Sequence, residues 1–276
     1  GEVGLGVGEK ARELGKSTQF SASEVADGMG FLAQAGFESD QILTSVESTL
    51  QLAAAGQLGL AEASDIASNV LTGFGLQAED TARVADILAH TASRANTNVQ
   101  QLGDAFKFAG PAAVGAGIAI EEAAGLVGVL SDAGLQGEQA GTALRGAIVG
   151  LLKPSAEAQK TLARLGFARS DIVNDDGKIT DFVGVLEKLS AAGATTEDVF
   201  RIFGQRPGTG VQALLTQLDT KGADVLRDRV ADVDLGSTGR AAEIAETQMR
   251  GLGGALKTLR SRFEELQLRI GEAGLT

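Results

Sequence analysis

No cysteine, tryptophan or tyrosine occurs among the 276 residues, and histidine occurs once, at His90. Without cysteine there are no disulfides, no thiolate metal sites and no Cys–His nucleophile. One histidine excludes multi-histidine zinc centres. A Ser-His-Asp triad would have to use His90, and no G-x-S-x-G stretch accompanies it. Read locally, "ILAHTASR" puts His90 near the end of a helical face, as a surface or capping residue. A glycosidase needs two facing carboxylates and usually aromatic sugar platforms, which this composition does not supply. Aromatic residues are only 4% of the chain and all are Phe. A core must therefore be assembled mainly from Ala, Leu, Val and Ile, which suits closely crossing helices better than a β-sandwich.

Positive charge is also short: 24 Lys and Arg against 36 Asp and Glu leave a net charge of −12. The basic residues are scattered, with no patch and no interleaved aromatics, so stable nucleic-acid binding is not expected. The longest uncharged runs, Ser48–Ala61 and Phe108–Ile120, are shorter than the roughly 20 residues a bilayer-spanning helix needs. The start, "GEVGLGVGEK", has no basic end followed by an apolar block and no initiator Met, and it reads as the edge of a piece cut from a longer chain.

What remains reads as helices punctuated by glycine. Ser21 with Glu24 fits a capping box, opening a helix to about Gln34 with Gly36 as its stop. Apolar faces follow at Ile42, Leu43, Val46, Leu50 and Leu52 before Gly56, and at Ala63, Ile66, Ala67, Val70, Leu71 and Phe74 before Gly75. Val84, Ile87 and Leu88 mark another helix, and Asn98 with Gln101 a further capped start. Two helices, Glu121–Ser131 and Glu138–Leu152, join at "AGLQG"; Pro154 ends the second, and Ser155–Leu165 forms a short helix stopped by Gly166. "NDDGKI" predicts a turn or hairpin at Asp175–Gly177. Shorter helices continue to about Val230, and "DVDLGSTG" (Asp232–Gly239) reads as a boundary. Twenty of the 41 residues from Gly110 to Gly150 are Gly or Ala, which predicts helix backbones in close contact around the segment Ser131–Pro154.

The last segment carries the clearest regularity. Ala245, Met249, Leu252, Leu256, Leu259, Phe263, Leu266 and Ile270 alternate spacings of four and three, with Met249, Leu256, Phe263 and Ile270 at a and the others at d. The strict period of 3.5 favours self-association as a coiled coil; the other reading is a C-terminal helix packed on its own domain. Leu and Phe at a, in place of Val or Ile, lean away from a dimer.

Motifs that would carry chemistry fail on spacing. "GKST" (Gly15–Thr18) has Lys10 where a phosphate loop needs its first glycine, within a helical stretch. With Gly177 as the sixth residue of a calcium loop, Ile172 and Val183 would occupy ligand positions. "GQRPGTG" (Gly204–Gly210) reads as a helix–helix connection, with Pro207 in the first turn of the second helix. Glu121–Glu122 and Glu264–Glu265 read as caps and solvated faces. No catalytic residue, cofactor or metal ligand is expected.

The order of blocks resembles the core region of phage tail tape measure proteins. The resemblance rests on "VADILAHTASRANTNVQQL" (Val84–Leu102), the glycine-rich "GPAAVGAGIAIEEAAGLVGVLSDAGLQGEQAGTALRG" (Gly110–Gly146), "KPSAEAQKTLARLGF" (Lys153–Phe167), "DDGKITDFVGVLEKL" (Asp175–Leu189) and "VFRIFGQRPGTGVQALL" (Val199–Leu215). It covers roughly residues 20–235, and "AGTALR" is its most specific part. It implies an all-α structural protein that sets tail length, sits in the tail lumen or tip of the virion after assembly in the host cytoplasm, and takes part in genome ejection. It also implies a homotrimer, contacts with tail tube and tail tip (distal tail, hub) proteins, and contact with the host envelope during ejection. The expected organisation is a connecting segment over 1–19, a helical core domain over 20–235 and a coiled-coil helix over 236–276. The alternative is a tail-associated cell-wall-degrading enzyme module.

Overall fold

In the computed structural model, described here for the backbone from residue 2, the side chains from 6 to 251, and Leu259, Arg262, Phe263 and Gln267, the chain is all-α. The helices are α1 (Glu2–Ser17), α2 (Ala22–Gln34), α3 (Ser39–Gly56), α4 (Leu60–Phe74), α5 (Thr81–Arg94), α6 (Val99–Ala116) and α7 (Ile120–Asp132). They continue as α8 (Glu138–Leu152), α9 (Ala156–Arg164), α10 (Phe182–Ala191), α11 (Thr196–Phe203), α12 (Gln205–Lys221), α13 (Val225–Gly236) and α14 (Arg240–Arg250). The expected turn or hairpin is present as a turn flanked by one antiparallel bridge, Val173 with Ile179. Asn174 organises the turn: its Oδ1 accepts the amides of Asp176 (3.1 Å) and Lys178 (3.0 Å).

Most helix ends follow the local chemistry. The Ser21–Glu24 box is closed in both directions, at 2.8 and 3.2 Å. Asn98, Ser155, Asp181 and Thr195 accept first-turn amides of α6, α9, α10 and α11. At the end of α3 the expected stop is displaced by one residue. Gly56 is the last helical residue, and Gln57 takes the left-handed conformation, φ 54°. The amide of Leu58 then reaches back to the carbonyl of Ala53 at 2.8 Å, which closes the helix end.

The chain forms two compact units: residues 1–72, 76–89 and 238–276 in the first, and 73–75 and 90–237 in the second. The first 19 residues, expected as a connecting segment, are mostly the helix α1. In the first unit, α1, α2, α3 and α14 enclose Leu14, Val25, Met29, Leu32, Val46 and Leu50. Ser45, buried in α3, donates to the carbonyl of Ala78 (3.1 Å) and accepts from Thr81 (3.0 Å). This satisfies polar groups that would be costly to bury alone.

In the second unit α8 is central, packed against α6, α7, α11 and α12, while α13 lies along α7. Its core holds Phe106, Leu126, Leu130, Leu144, Ile148, Phe182, Leu186 and Leu214. The stretch Asp232–Gly236, expected as a boundary, is the last part of α13. It stays helical because Val233 is buried and Asp232 has a buried partner. Among the described residues no helix is long and apolar enough to cross a membrane.

Candidate functional site

The glycine-rich centre is built as a packing node. Gly141 of α8 lies so close to α6 that a Cβ there would sit 2.7 Å from the Cα of Ala105. A Cβ on Gly146 would meet Cβ of Pro207 (α12) at 2.5 Å, and one on Gly150 would meet Phe203 (α11) at 3.0 Å. Each glycine of α8 thus receives a different neighbouring helix. Gly210 repeats the device in reverse, with Ala143 Cβ at 2.5 Å. The helix forfeits roughly 1 kcal/mol of intrinsic propensity at each glycine and gains backbone contact that larger residues would hold apart. Gly134 and Gly137 are separate: they take positive φ in the connection between α7 and α8.

A groove of about 430 Å³ in the second unit gathers Glu121, Glu122, Asp181, Arg227 and Asp234. Both Glu121 and Glu122 start α7, but they are not solvated. Glu121 is buried, and Glu122 is largely covered, because α13 lies over this turn of α7. Burial, reinforced by the charge of Asp181, pushes the Glu122 carboxyl above the ordinary carboxylate range. Asp181 moves the other way. Burial acts to raise it, but Arg227 Nη2 at 2.7 Å and the Gly184 amide at 2.8 Å hold its carboxyl below the usual range. Arg227 also grips Glu187 at 2.8 Å and is stabilised as a cation by both partners, Glu187 first. Oppositely displaced carboxyls are what acid–base chemistry uses, but here Asp181 is held by the cap and the ion pair.

His90 is buried at 2% exposure, contrary to the surface position its local sequence implies. Its Nε2 lies 3.0 Å from Asp232 Oδ2. Gly236 leaves room for the ring: a Cβ there would meet Cε1 at 3.0 Å. Next to it Arg229 bridges the carbonyl of Arg94 (2.8 Å) and Asp132 (2.9 Å). These contacts fasten α13 and explain the burial.

The weaker motifs resolve as structure. "GKST" ends α1, "NDDG" is the turn, and "GQRPGTG" contributes Gly204 as a one-residue joint with the rest inside α12. Among the described residues no group of three or more His, Asp or Glu is arranged to hold a metal ion.

The eight seam residues divide. Ala245 is 5% exposed and belongs to the core of the first unit, and Met249 borders a crevice there. Leu259 and Phe263 are 66% and 60% exposed, one turn apart. Leu252, Leu256, Leu266 and Ile270, like Glu264 and Glu265, lie outside the described residues. The sequence pattern could not separate these two behaviours.

With this geometry in place, comparison with known proteins is informative. The family described as Phage-related minor tail protein matches residues 8–204. The chain belongs to that family. It is 33% identical to the tape measure protein of Pneumococcus phage Dp-1 over 265 residues, 95% of this chain and 22% of that protein. It is 28% identical to the probable tape measure protein of Escherichia phage P2 over 264 residues, 93% of this chain and 32% of that protein. The chain thus spans less than a third of the length of either relative. No solved structure matches it. For this phage tail protein the family match takes in α8, Glu122 and Asp181, and stops before Pro207 and Gly210 of the node, Arg227, α13 and the seam.

Proposed function

We propose that this chain is a structural segment of a tape measure protein, acting in tail assembly from the lumen or tip of the tail and taking part in genome ejection. The observation that carries the reading is the match of 95% of the chain to a tape measure protein. An all-α fold fits it, because a helix advances 1.5 Å per residue and so converts sequence length into distance. The segment self-associates, as a trimer, through the seam. Leu259 and Phe263, exposed one turn apart in a single chain, support this. The partners in this reading are tail tube and tail tip proteins, with the host envelope contacted during ejection. The net charge of −12 disfavours retention of DNA in a narrow tube.

The test has two parts. Light scattering of the purified chain should give a trimer that Leu256→Asp with Leu259→Asp returns to monomer; two monomers remove the trimer. Phage carrying the same pair should assemble few tails or tails of altered length in electron micrographs. Normal tails in normal number refute a role for the seam.

The second reading is a tail-associated cell-wall-degrading module, for which the groove holding Glu122 and Asp181 would be the place to look. Dye release from labelled peptidoglycan, lost in Glu122→Gln, would establish it and displace the structural reading of the groove.

A further inference from the structure

The seam asks two incompatible things of its first heptad. As a d position, Ala245 would face the other copies of a coil. In the single chain it is 5% exposed and part of the first unit's core. There α14 ends at Arg250, with Gly251 in extended backbone (φ −71°, ψ 161°), so Ala245 can join the seam only if α14 leaves α3 and the helix runs on through Gly251. We infer that α14 is a releasable strap: it docks on α3 in the free chain and is freed when the seam pairs between copies. This rests on the self-association proposed above.

Three features make the docking suitable for release. First, it is thin. The fully buried residues of α14 are Ala241 and Ala245, both small, while Ile244 and Met249 are half-buried. Second, it is incompletely filled. A crevice of about 140 Å³ lies beneath it, between Thr18, Phe20, Leu50, Ala54, Ala245 and Met249. Third, its start is held from a distance. Gly239 has no side chain to cap α14, and Asp86 of α5 does so instead. Asp86 Oδ2 accepts the Gly239 amide at 2.7 Å, and Oδ1 accepts the Ala241 amide at 2.9 Å. A carboxylate on two free amides at a helix start is a favourable contact that exists only in the docked state.

Part of what supports the helix is internal to it. Arg240 with Glu243 (2.7 Å) and Arg250 with Glu246 (2.5 Å) are pairs within α14 that travel with it. Release therefore exchanges the Asp86 cap and two alanine contacts for the seam contacts of Ala245 and Met249. Docking and pairing draw on the same residues, so each must weaken the other, by reciprocal linkage.

The test uses the full chain and Asp86→Ala, a residue of α5 outside both the seam and α3. Hydrogen exchange of residues 240–250 and sedimentation equilibrium are measured together. Losing the cap should speed exchange there about tenfold and tighten association by a similar factor per chain. Asp86→Asn, which keeps an oxygen acceptor without its charge, should give a smaller change in the same directions, and it carries the test if the alanine variant does not fold. Faster exchange with unchanged association overturns the strap, as does unchanged exchange. If the wild-type chain and Leu259→Asp with Phe263→Asp have the same monomeric mass at every concentration, the underlying self-association fails instead.

Discussion

Replacing Gly141 by Ala adds one methyl group where α8 presses on the backbone of α6, and its effect follows from two opposing terms. In an isolated helix the change is worth about 1 kcal/mol in favour of Ala. In the protein the new Cβ would lie 2.7 Å from the Cα of Ala105, whereas carbon atoms in contact settle at roughly 3.5–4.0 Å. The obstacle is backbone, so no rotamer change relieves it. α6 and α8 must separate by on the order of 1 Å, loosening Leu102, Phe106, Leu144 and Ile148, all buried. Overpacking of this kind costs about 1–3 kcal/mol, and a backbone obstacle belongs at or above the upper end. The net expectation is a loss of about 2 kcal/mol, or roughly 4–8 °C in Tm for a unit of this size. Gly115→Ala in α6 is the control. Its Cβ would meet nothing within 4 Å, so stability should be unchanged or rise by up to about 1 kcal/mol. Urea unfolding followed by circular dichroism measures both, and hydrogen exchange in α6 and α8 assigns the loss to this crossing. Equal or greater stability of Gly141→Ala would refute the packing node.

Two further expectations concern acid. Glu122 has a carboxyl raised by burial, so its ionisation opposes folding at neutral pH; the stability it withholds returns as pH falls through the raised value, above the ordinary carboxylate range of about 4.3. Glu122→Gln should raise Tm at pH 7–8 and lose its advantage towards pH 4. Asp198 behaves oppositely. Burial acts to raise its carboxyl, but the amide and hydroxyl of Thr195 and the charge of Arg164 hold it below the ordinary range of about 3.9. Its contribution is present above that range and is lost as pH falls below it. Asp198→Asn should therefore destabilise the chain at pH 7 and converge on wild type in a pH 2–4 titration; an equal deficit at every pH would refute the electrostatic account.

Helix starts and stops were legible because they are local. A hydroxyl three residues before a carboxylate satisfies amides wherever it occurs, and Gly75 and Gly166 accept left-handed conformations that other residues resist. The groove and His90 were illegible for the converse reason. "ILAHTASR" is polar at short range, and nothing in it announces that Gly236, 146 residues later, leaves a flat surface for the ring. Glu121 and Glu122 open their helix as expected, but α13 covers them, and a start becomes buried only through such a distant partner. The two-unit division has the same origin, since residues 238–276 rejoin a unit begun at the other end of the chain.

The seam shows where periodicity loses the power to decide. A docked helix repeats every 3.6 residues and a coil every 3.5, and the two drift apart by only about 20° per heptad. Between Ala241 and Met249 the difference is therefore smaller than the angle one side chain covers, and both readings fit the same residues. Composition breaks the tie in a way spacing cannot. At the start stand Ala245, the first residue of the pattern, and Ala241 one turn before it, and both are buried. Further on stand Leu259 and Phe263, both large and both exposed. The docked stretch also ends with α14 at Arg250, where Gly251 turns to extended backbone, so the exposed pair stands beyond the end of the docked helix.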